Sequence, residues 1–283
     1  MLKELKEYLK PKSVEEAWSL FRDPAKSPSL FLTGGLSVAQ REDQTTKTLI
    51  DLSGLLGDSV SETATDYILD GNVKIADCIE KIDMPFLKEA LHSVGSRQIR
   101  NMSTIAGTLG QRYSWSDTIT ALLALDAIVE GYNGSTVTMS LDQYLKNRAP
   151  LLVTKVMIPK RYDRGAFFKF SKISYDIATL NLAIVFQIEK EEDPLEETVV
   201  KGCRIVCGAR PGIAILLPRA SATVQGKTFS SLRRDLLPIQ SIAAIESNVS
   251  SGADVSAEYR QQLVRTFVER GLRRLIEPGE NTQ

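Results

Sequence analysis

The residues from Ile99 to Asp117, IRNMSTIAGTLGQRYSWSD, crowd small hydroxyls and glycines into one short polar stretch. Ser103, Thr104, Gly107, Thr108 and Gly110 read as a turn between a helical segment and an apolar helix that opens at Ser116-Asp117. Such a turn lays backbone N–H groups and hydroxyls against a diphosphate. A second glycine turn, Leu32-Thr33-Gly34-Gly35-Leu36-Ser37, follows a short apolar strand near the N-terminus. Together the two turns point to a dinucleotide held at two places; either alone is a weak signal. The first is no GxGxxG fingerprint, because the third glycine is missing, and no Walker loop, because no Gly-Lys-Ser/Thr occurs. A plain tight turn is the alternative reading of the first, and a purely structural loop that of the second.

Other residues nearby extend the chemistry. Asp117 can cap the helix it opens, or accept hydrogen bonds from ribose hydroxyls. Tyr113 and Trp115 flank the second turn, as a cover for an aromatic ring or as an interface patch. Lys169 lies in AFFKFSK, where strand alternation sets it opposite Phe168 and Phe170. It is then either a solvent-facing lysine or a cation near the phosphates. His92, in the helical segment FLKEALHSVG, is the only histidine, so Ser-His-Asp catalysis and histidine metal sites find little support. Three cysteines, Cys78, Cys203 and Cys207, make no disulfide framework. Cys203 and Cys207, four apart in KGCRIVCGAR, share one strand face and read as core.

These residues need elements to hold them. Ser13 caps a helix in VEEAWSLFRD, with Glu16 completing a capping box. Ser29–Leu32 and Thr48–Asp51 read as strands of a small β-α-β unit. Short strands follow around Val60-Ser61 and Tyr67–Leu69, then a helix over Pro85–Val94 and a buried helix over Asp117–Leu125. Ala127–Val129 and Ser135–Met139 form a hairpin around GYNG, a short helix starts at Ser140, and Leu151–Ile158 is a strand. Beyond the charged turn PKRYDRG the pattern becomes an antiparallel sheet: Ala166–Lys172, Asn181–Lys190, Thr198–Cys207 and Gly212–Leu217. Glu191–Pro194 reads as a solvated hairpin loop. Helices over Ser221–Gln225, Ser230–Ile245 and Ala257–Ile276 close the chain, and the last five residues read as frayed. The class is α+β.

Bulk composition agrees with a globular chain: 283 residues, 43% apolar and 25% charged. Lys+Arg and Asp+Glu are equal at 35 each, which leaves no electrostatic footprint for nucleic acid or an anionic membrane. No window approaches the ~18 apolar residues of a membrane span. The charged N-terminus lacks an apolar signal core, so a cytoplasmic location is the expectation.

The order of motifs resembles the FAD-binding medium subunit of the molybdenum hydroxylases, the group of xanthine dehydrogenase and aerobic carbon monoxide dehydrogenase. The resemblance covers nearly the whole chain. YLKPKSVEEAWSL is similar to the family's Pro-x-Ser-x-x-Glu-Ala start, and FLTGGLSV to its Gly-Gly-Thr-Asp loop. IRNMSTIAGTLG is similar to Arg-Asn-x-Ala-Thr-Ile-Gly-Gly-Asn, with SDTITALLALDA after it. FFKFSKISYDIATLNLA and DVSAEYRQQLVRTFVERGL resemble the sheet entry and last helix of its C-terminal domain. Departures are Leu36-Ser37 for the Thr-Asp pair, Ala106 for glycine, Thr108 for asparagine, and Lys172-Ile173 where arginine is common.

The resemblance implies an α+β chain. A two-subdomain FAD-binding domain of the PCMH, vanillyl-alcohol-oxidase-like kind would span 1–57 and 58–160. A C-terminal antiparallel sheet with helices would span 165–283. It implies that Phe31, Leu32, Thr33, Gly34, Gly35, Leu36, Ser37 and Val38 form the first loop over the FAD diphosphate. Ser103, Thr104, Gly107, Thr108 and Gln111 would form the second. Asp117 would hold the ribose, Val153 would border the flavin, and Lys169 would reach toward the cofactor. The implied partners are a [2Fe-2S] iron-sulfur small subunit and a molybdopterin large subunit, with NAD+ or another electron acceptor and a xanthine dehydrogenase-like activity. No side chain of this chain is expected to be catalytic or to bind metal, and no cluster is expected here. Two other readings stand beside it: a non-catalytic scaffold or assembly subunit with weakened FAD binding, motivated by the departures, and a standalone vanillyl-alcohol-type oxidase, for which the chain is short and lacks a substrate base.

Overall fold

A computed structural model describes residues 2, 4–39, 45–189, 194–252 and 255–277. The expected loop at Glu191–Pro194, apart from Pro194, and the frayed last residues lie outside them. Along the chain run β1 (Glu7–Leu9), α1 (Val14–Arg22), β2 (Ser29–Leu32), α2 (Leu36–Ala39), β3 (Thr48–Asp51), β4 (Val60–Glu62) and β5 (Asp66–Asp70). Then come α3 (Ile75–Lys81), α4 (Pro85–His92), α5 (Arg97–Met102), α6 (Ile105–Gln111), α7 (Asp117–Ala124), β6 (Ile128–Tyr132), β7 (Thr136–Ser140), α8 (Leu141–Lys146) and β8 (Leu152–Pro159). The last stretch holds β9 (Arg164–Phe170), β10 (Leu180–Ile188), β11 (Val200–Gly208), β12 (Ile215–Leu216), α9 (Pro218–Val224), α10 (Phe229–Arg234), α11 (Leu236–Glu246) and α12 (Ala257–Ile276).

The chain divides into two compact units. The first comprises Met1–Asp83, Ser96–Arg112 and Ala127–Ile158; the second comprises Met84–Gly95, Tyr113–Asp126 and Pro159–Gln283. The first unit carries two sheets. β1, β3 and β2 form a parallel sheet in that order, and β4-β5-β8-β6-β7 form a five-stranded one. The β-α-β unit read from the sequence is therefore present, with β1 added at its edge. β1 escaped notice because three residues flanked by charges carry no period. Phe21 on α1 stacks on Phe31 of β2 at 4.6 Å, and Trp18 meets Tyr132 of β6 edge-on at 6.4 Å. Ser13 caps α1, accepting from the Glu16 N–H at 3.1 Å. The capping box is displaced by one residue: the Glu16 carboxylate accepts from Lys12 N at 2.7 Å.

The second unit is built on an antiparallel sheet in the order β12-β11-β10-β9. β10 is apolar almost throughout because helices cover both of its faces. On one face Phe168 stacks on Phe267 of α12 at 5.3 Å, and Phe170 meets Tyr259. Cys203 and Cys207 join the core on that face, and burial pushes the Cys207 thiol up to about 12. The helix expected over Ser230–Ile245 is two helices, α10 and α11, parted at Asp235. Pro238, in the first turn of α11, lacks the N–H and the ring clearance that one continuous helix would need.

Candidate functional site

The two glycine turns meet inside the first unit. β2 delivers Thr33 and Gly34 at the carboxyl edge of the parallel sheet, where ligands of such sheets gather. Thr33 Oγ1 lies 2.7 Å from Thr104 Oγ1, a hydrogen bond between turns 71 residues apart. Gly34 packs so closely on α5 that a Cβ there would stand 1.7 Å from the Met102 carbonyl oxygen. Gly35 takes a φ of +80°, which only glycine adopts without strain. Among the described residues, no acceptor is bonded by the backbone N–H groups of Gly34, Gly35, Leu36 and Ser37. Residues Phe31 to Val38 are all half-buried.

The second turn is arranged differently. Its open-turn expectation is corrected: Ile105–Gln111 is a helix with Thr104 as its N-cap, accepting from Gly107 N at 3.2 Å. Its first N–H groups already have partners, since Ile105 N donates to Val73 O and Ala106 N to Gly71 O, both at 2.9 Å. Ser103 donates its hydroxyl to Ile99 O at 2.9 Å. Ala106, where the family has glycine, turns its methyl inward, 3.2 Å from the place a Cβ on Gly71 would take. That departure is therefore accommodated within the protein. Thr108 and Gln111 are half-buried on the helix, and Tyr144 anchors it from below, donating to Leu109 O at 3.1 Å. Val153 is buried in β8, opposite Gly131.

Asp117 and Lys169 belong to the second unit, where they form an ion pair at 3.0 Å with side chains 5% and 9% exposed. Both of the simpler expectations for these residues are overturned. Ser116, not Asp117, caps α7, accepting from Ile119 N at 3.2 Å. Lys169 does lie opposite Phe168 and Phe170, but it is buried and also donates to Ser93 O at 2.8 Å. Asn181 donates to Asp117 Oδ1 at 2.7 Å. Burial pushes the Asp117 pKa above its usual range, and Lys169 and Asn181 offset only part of that push. Tyr113 and Trp115 stack on each other at 4.5 Å and remain partly exposed.

Sequence reasoning missed one cluster in the first unit. Asp51, the last residue of β3 and cross-strand partner of Leu32, is 5% exposed. It accepts from the Tyr8 hydroxyl and from Ser53 N at 2.9 Å, with Lys10 at 3.8 Å. The signal available was an acid ending an apolar strand beside the first turn.

The first unit belongs to the class of proteins that carry a glycine turn at the carboxyl edge of a parallel sheet, here joined to a second turn. Comparison with known proteins gives the family. Residues 3–161 match the FAD binding domain in molybdopterin dehydrogenase, and residues 165–275 match the CO dehydrogenase flavoprotein C-terminal domain. The chain belongs to the family of FAD-binding medium subunits of molybdenum hydroxylases. It is 26% identical to the nicotine 6-hydroxylase medium subunit of Paenarthrobacter nicotinovorans, over 97% of this chain and 98% of that one. It is 29% identical to the nicotinate dehydrogenase FAD-subunit of Eubacterium barkeri, over 59% of this chain and 63% of that one. A carbon monoxide dehydrogenase from Hydrogenophaga pseudoflava shares the fold, with a TM-score of 0.84 at 21% identity over 97% of this chain and 98% of that one. No helix among the described residues is long and apolar enough to cross a membrane.

Proposed function

We propose that this chain holds FAD in a cytoplasmic molybdenum hydroxylase complex. In that complex electrons pass from [2Fe-2S] clusters of a small subunit, fed by a molybdopterin large subunit, through FAD to NAD+ or another acceptor. The redox chemistry is the flavin's; the chain supplies position and electrostatics. The observation that carries this reading is the joined pair of turns, in which the N–H groups of Gly34 to Ser37 have no acceptor among the described residues while Thr104 and Met102 pack against the turn. These residues fit a diphosphate, because successive N–H groups without an acceptor among the described residues can form an anion-binding concavity.

In this proposal Phe31 to Val38 supply the donors, and Ser103, Thr104, Gly107, Thr108 and Gln111 supply the supporting wall. Asp117, Lys169 and Val153 are further cofactor contacts by resemblance. The domain limits 1–57, 58–160 and 165–283 belong to the same proposal. For the substrate of the complex we infer an N-heteroaromatic ring. Xanthine is one such candidate, and two relatives are named for nicotine and nicotinate.

The test is a visible spectrum of the purified chain followed by titration with FAD. Flavin bands approaching one equivalent support the reading. A colourless protein that takes up no FAD, alone or with its partner subunits, overturns it in favour of an assembly-only subunit. Turnover of the complex on xanthine, nicotinate and nicotine, with NAD+ or an artificial dye as acceptor, tests the narrower claims.

A further inference from the structure

The second unit contains a polar row that the sequence did not announce. Antiparallel register sets Lys169 of β9 opposite Asn181 of β10, and Asn181 opposite Gly208 of β11. Residues directly opposite in a sheet point to the same face. The row therefore reads cation, amide, gap. Thr120 of α7 fills the gap: a Cβ on Gly208 would stand 2.2 Å from both Thr120 Oγ1 and Asn181 Oδ1. Asn181 is wholly buried. Its Oδ1 accepts from Thr120 Oγ1 at 2.8 Å and its Nδ2 donates to Asp117 Oδ1 at 2.7 Å. Lys169 faces the other oxygen of Asp117 at 3.0 Å.

The two ends of this amide are not interchangeable. A hydroxyl donates or accepts, but an ionised carboxylate only accepts. The carboxylate therefore fixes the amide orientation, and the threonine follows. Nδ2 on one oxygen and Lys169 on the other orient the Asp117 carboxylate and favour its ionised form against the burial that opposes it. We propose that Asn181 is a positioning residue, which holds Asp117 ionised and oriented beside Lys169 for contact with FAD. The proposal rests on the reading that Asp117 and Lys169 are FAD contacts.

The test compares FAD dissociation constants and thermal midpoints of the full chain for wild type, Asn181→Leu, Asn181→Asp and the exchange Asp117→Asn with Asn181→Asp. Asn181→Leu keeps the shape and removes the donor, and FAD affinity falls about tenfold. Asn181→Asp sets a second carboxylate against Asp117 and weakens FAD further. The exchange restores a donor–acceptor pair at the same place and recovers the thermal midpoint, but it moves the charge and leaves FAD binding weak. A merely structural role predicts instead that Asn181→Leu lowers the midpoint and leaves FAD affinity at the wild-type value, and that result overturns the proposal. An exchange variant that binds FAD as wild type does shows that the charge at Asp117 does not serve FAD, and overturns it too. If Asn181→Leu does not fold, Asn181→Ser, which withdraws the donor from Asp117 with a smaller polar side chain, is read in the same way. If wild type itself binds no FAD, the underlying reading fails, whereas wild-type binding with unchanged variants sinks the role of Asn181 alone.

Discussion

The two turns of the first unit have nearly the same composition and do opposite work. In the first, Gly34 to Ser37 present N–H groups that no described residue accepts. In the second, the corresponding groups of Ile105, Ala106 and Gly107 are bonded to Val73 O, Gly71 O and Thr104 Oγ1. One turn is a donor surface and the other is its buttress. Composition does not separate the roles, because the carbonyls that occupy the second turn come from a segment some thirty residues earlier. A glycine needed for room differs likewise from one that merely tolerates it. At Gly34 the obstacle is a backbone carbonyl at 1.7 Å, whereas at Gly107 it is two threonine oxygens at 2.8 Å.

The largest expected effect follows from that contrast. Gly34→Val forces the first turn off α5 and lowers FAD affinity by more than about a hundredfold, since ~2.7 kcal/mol corresponds to that factor. The thermal midpoint falls with it. Gly107→Val meets side chains that can turn aside, and its effect on FAD is smaller by about tenfold or more. Equilibrium titration of both variants checks the order. The reverse order would mean that the second turn, not the first, carries the donors.

Next in size is the link between the turns. Thr104→Val removes the N-cap of α6 together with the partner of Thr33, and costs about 1–2 kcal/mol of stability. Thr33→Val removes the link alone and costs about 0.5–1.5 kcal/mol. A double-mutant cycle in urea measures the coupling, for which contacting pairs give about 0.5–3 kcal/mol. A coupling indistinguishable from zero would show the turns to be independent, and the buttress description would fall.

Much of this was readable in the residues. Alternation in AFFKFSK gave the correct face for Lys169, and β2, β3 and β9 to β11 follow their apolar patterns, whereas the strand expected over Gly212–Leu217 is only Ile215–Leu216 and Gly131-Tyr132, expected in the hairpin turn, lie in β6. The family motifs located both turns. What was not readable depended on distant partners. Burial of Lys169 is decided by Asp117, fifty-two residues earlier, in contact only after folding. The cap at Ser116 rather than Asp117 is a choice between two adjacent good caps, settled by backbone geometry at Ser116. The helical state of the second turn follows from the carbonyls of Gly71 and Val73, which no local pattern places there.

The smallest effect concerns the base of the first turn, where Asp51 sits cross-strand from Leu32. Burial pushes the Asp51 pKa up, but the Tyr8 hydroxyl, the Ser53 N–H and Lys10 outweigh burial and hold it below its ordinary value of 3.8. A carboxyl lowered in the folded state binds fewer protons there than in the unfolded chain. Its stabilising contribution is therefore complete above the ordinary value and is lost as pH falls through the lower folded one. Asp51→Asn removes that contribution at neutral pH and cannot lose it again in acid. The stability gap between wild type and Asp51→Asn thus narrows as pH falls from about 5 to about 3. Urea unfolding at the two pH values measures it. The second turn has no such acid among its backbone partners, Gly71 and Val73, so Thr104→Val shows a gap that does not change with pH. A constant gap for Asp51→Asn would mean that the first turn is held, like the second, by uncharged contacts alone.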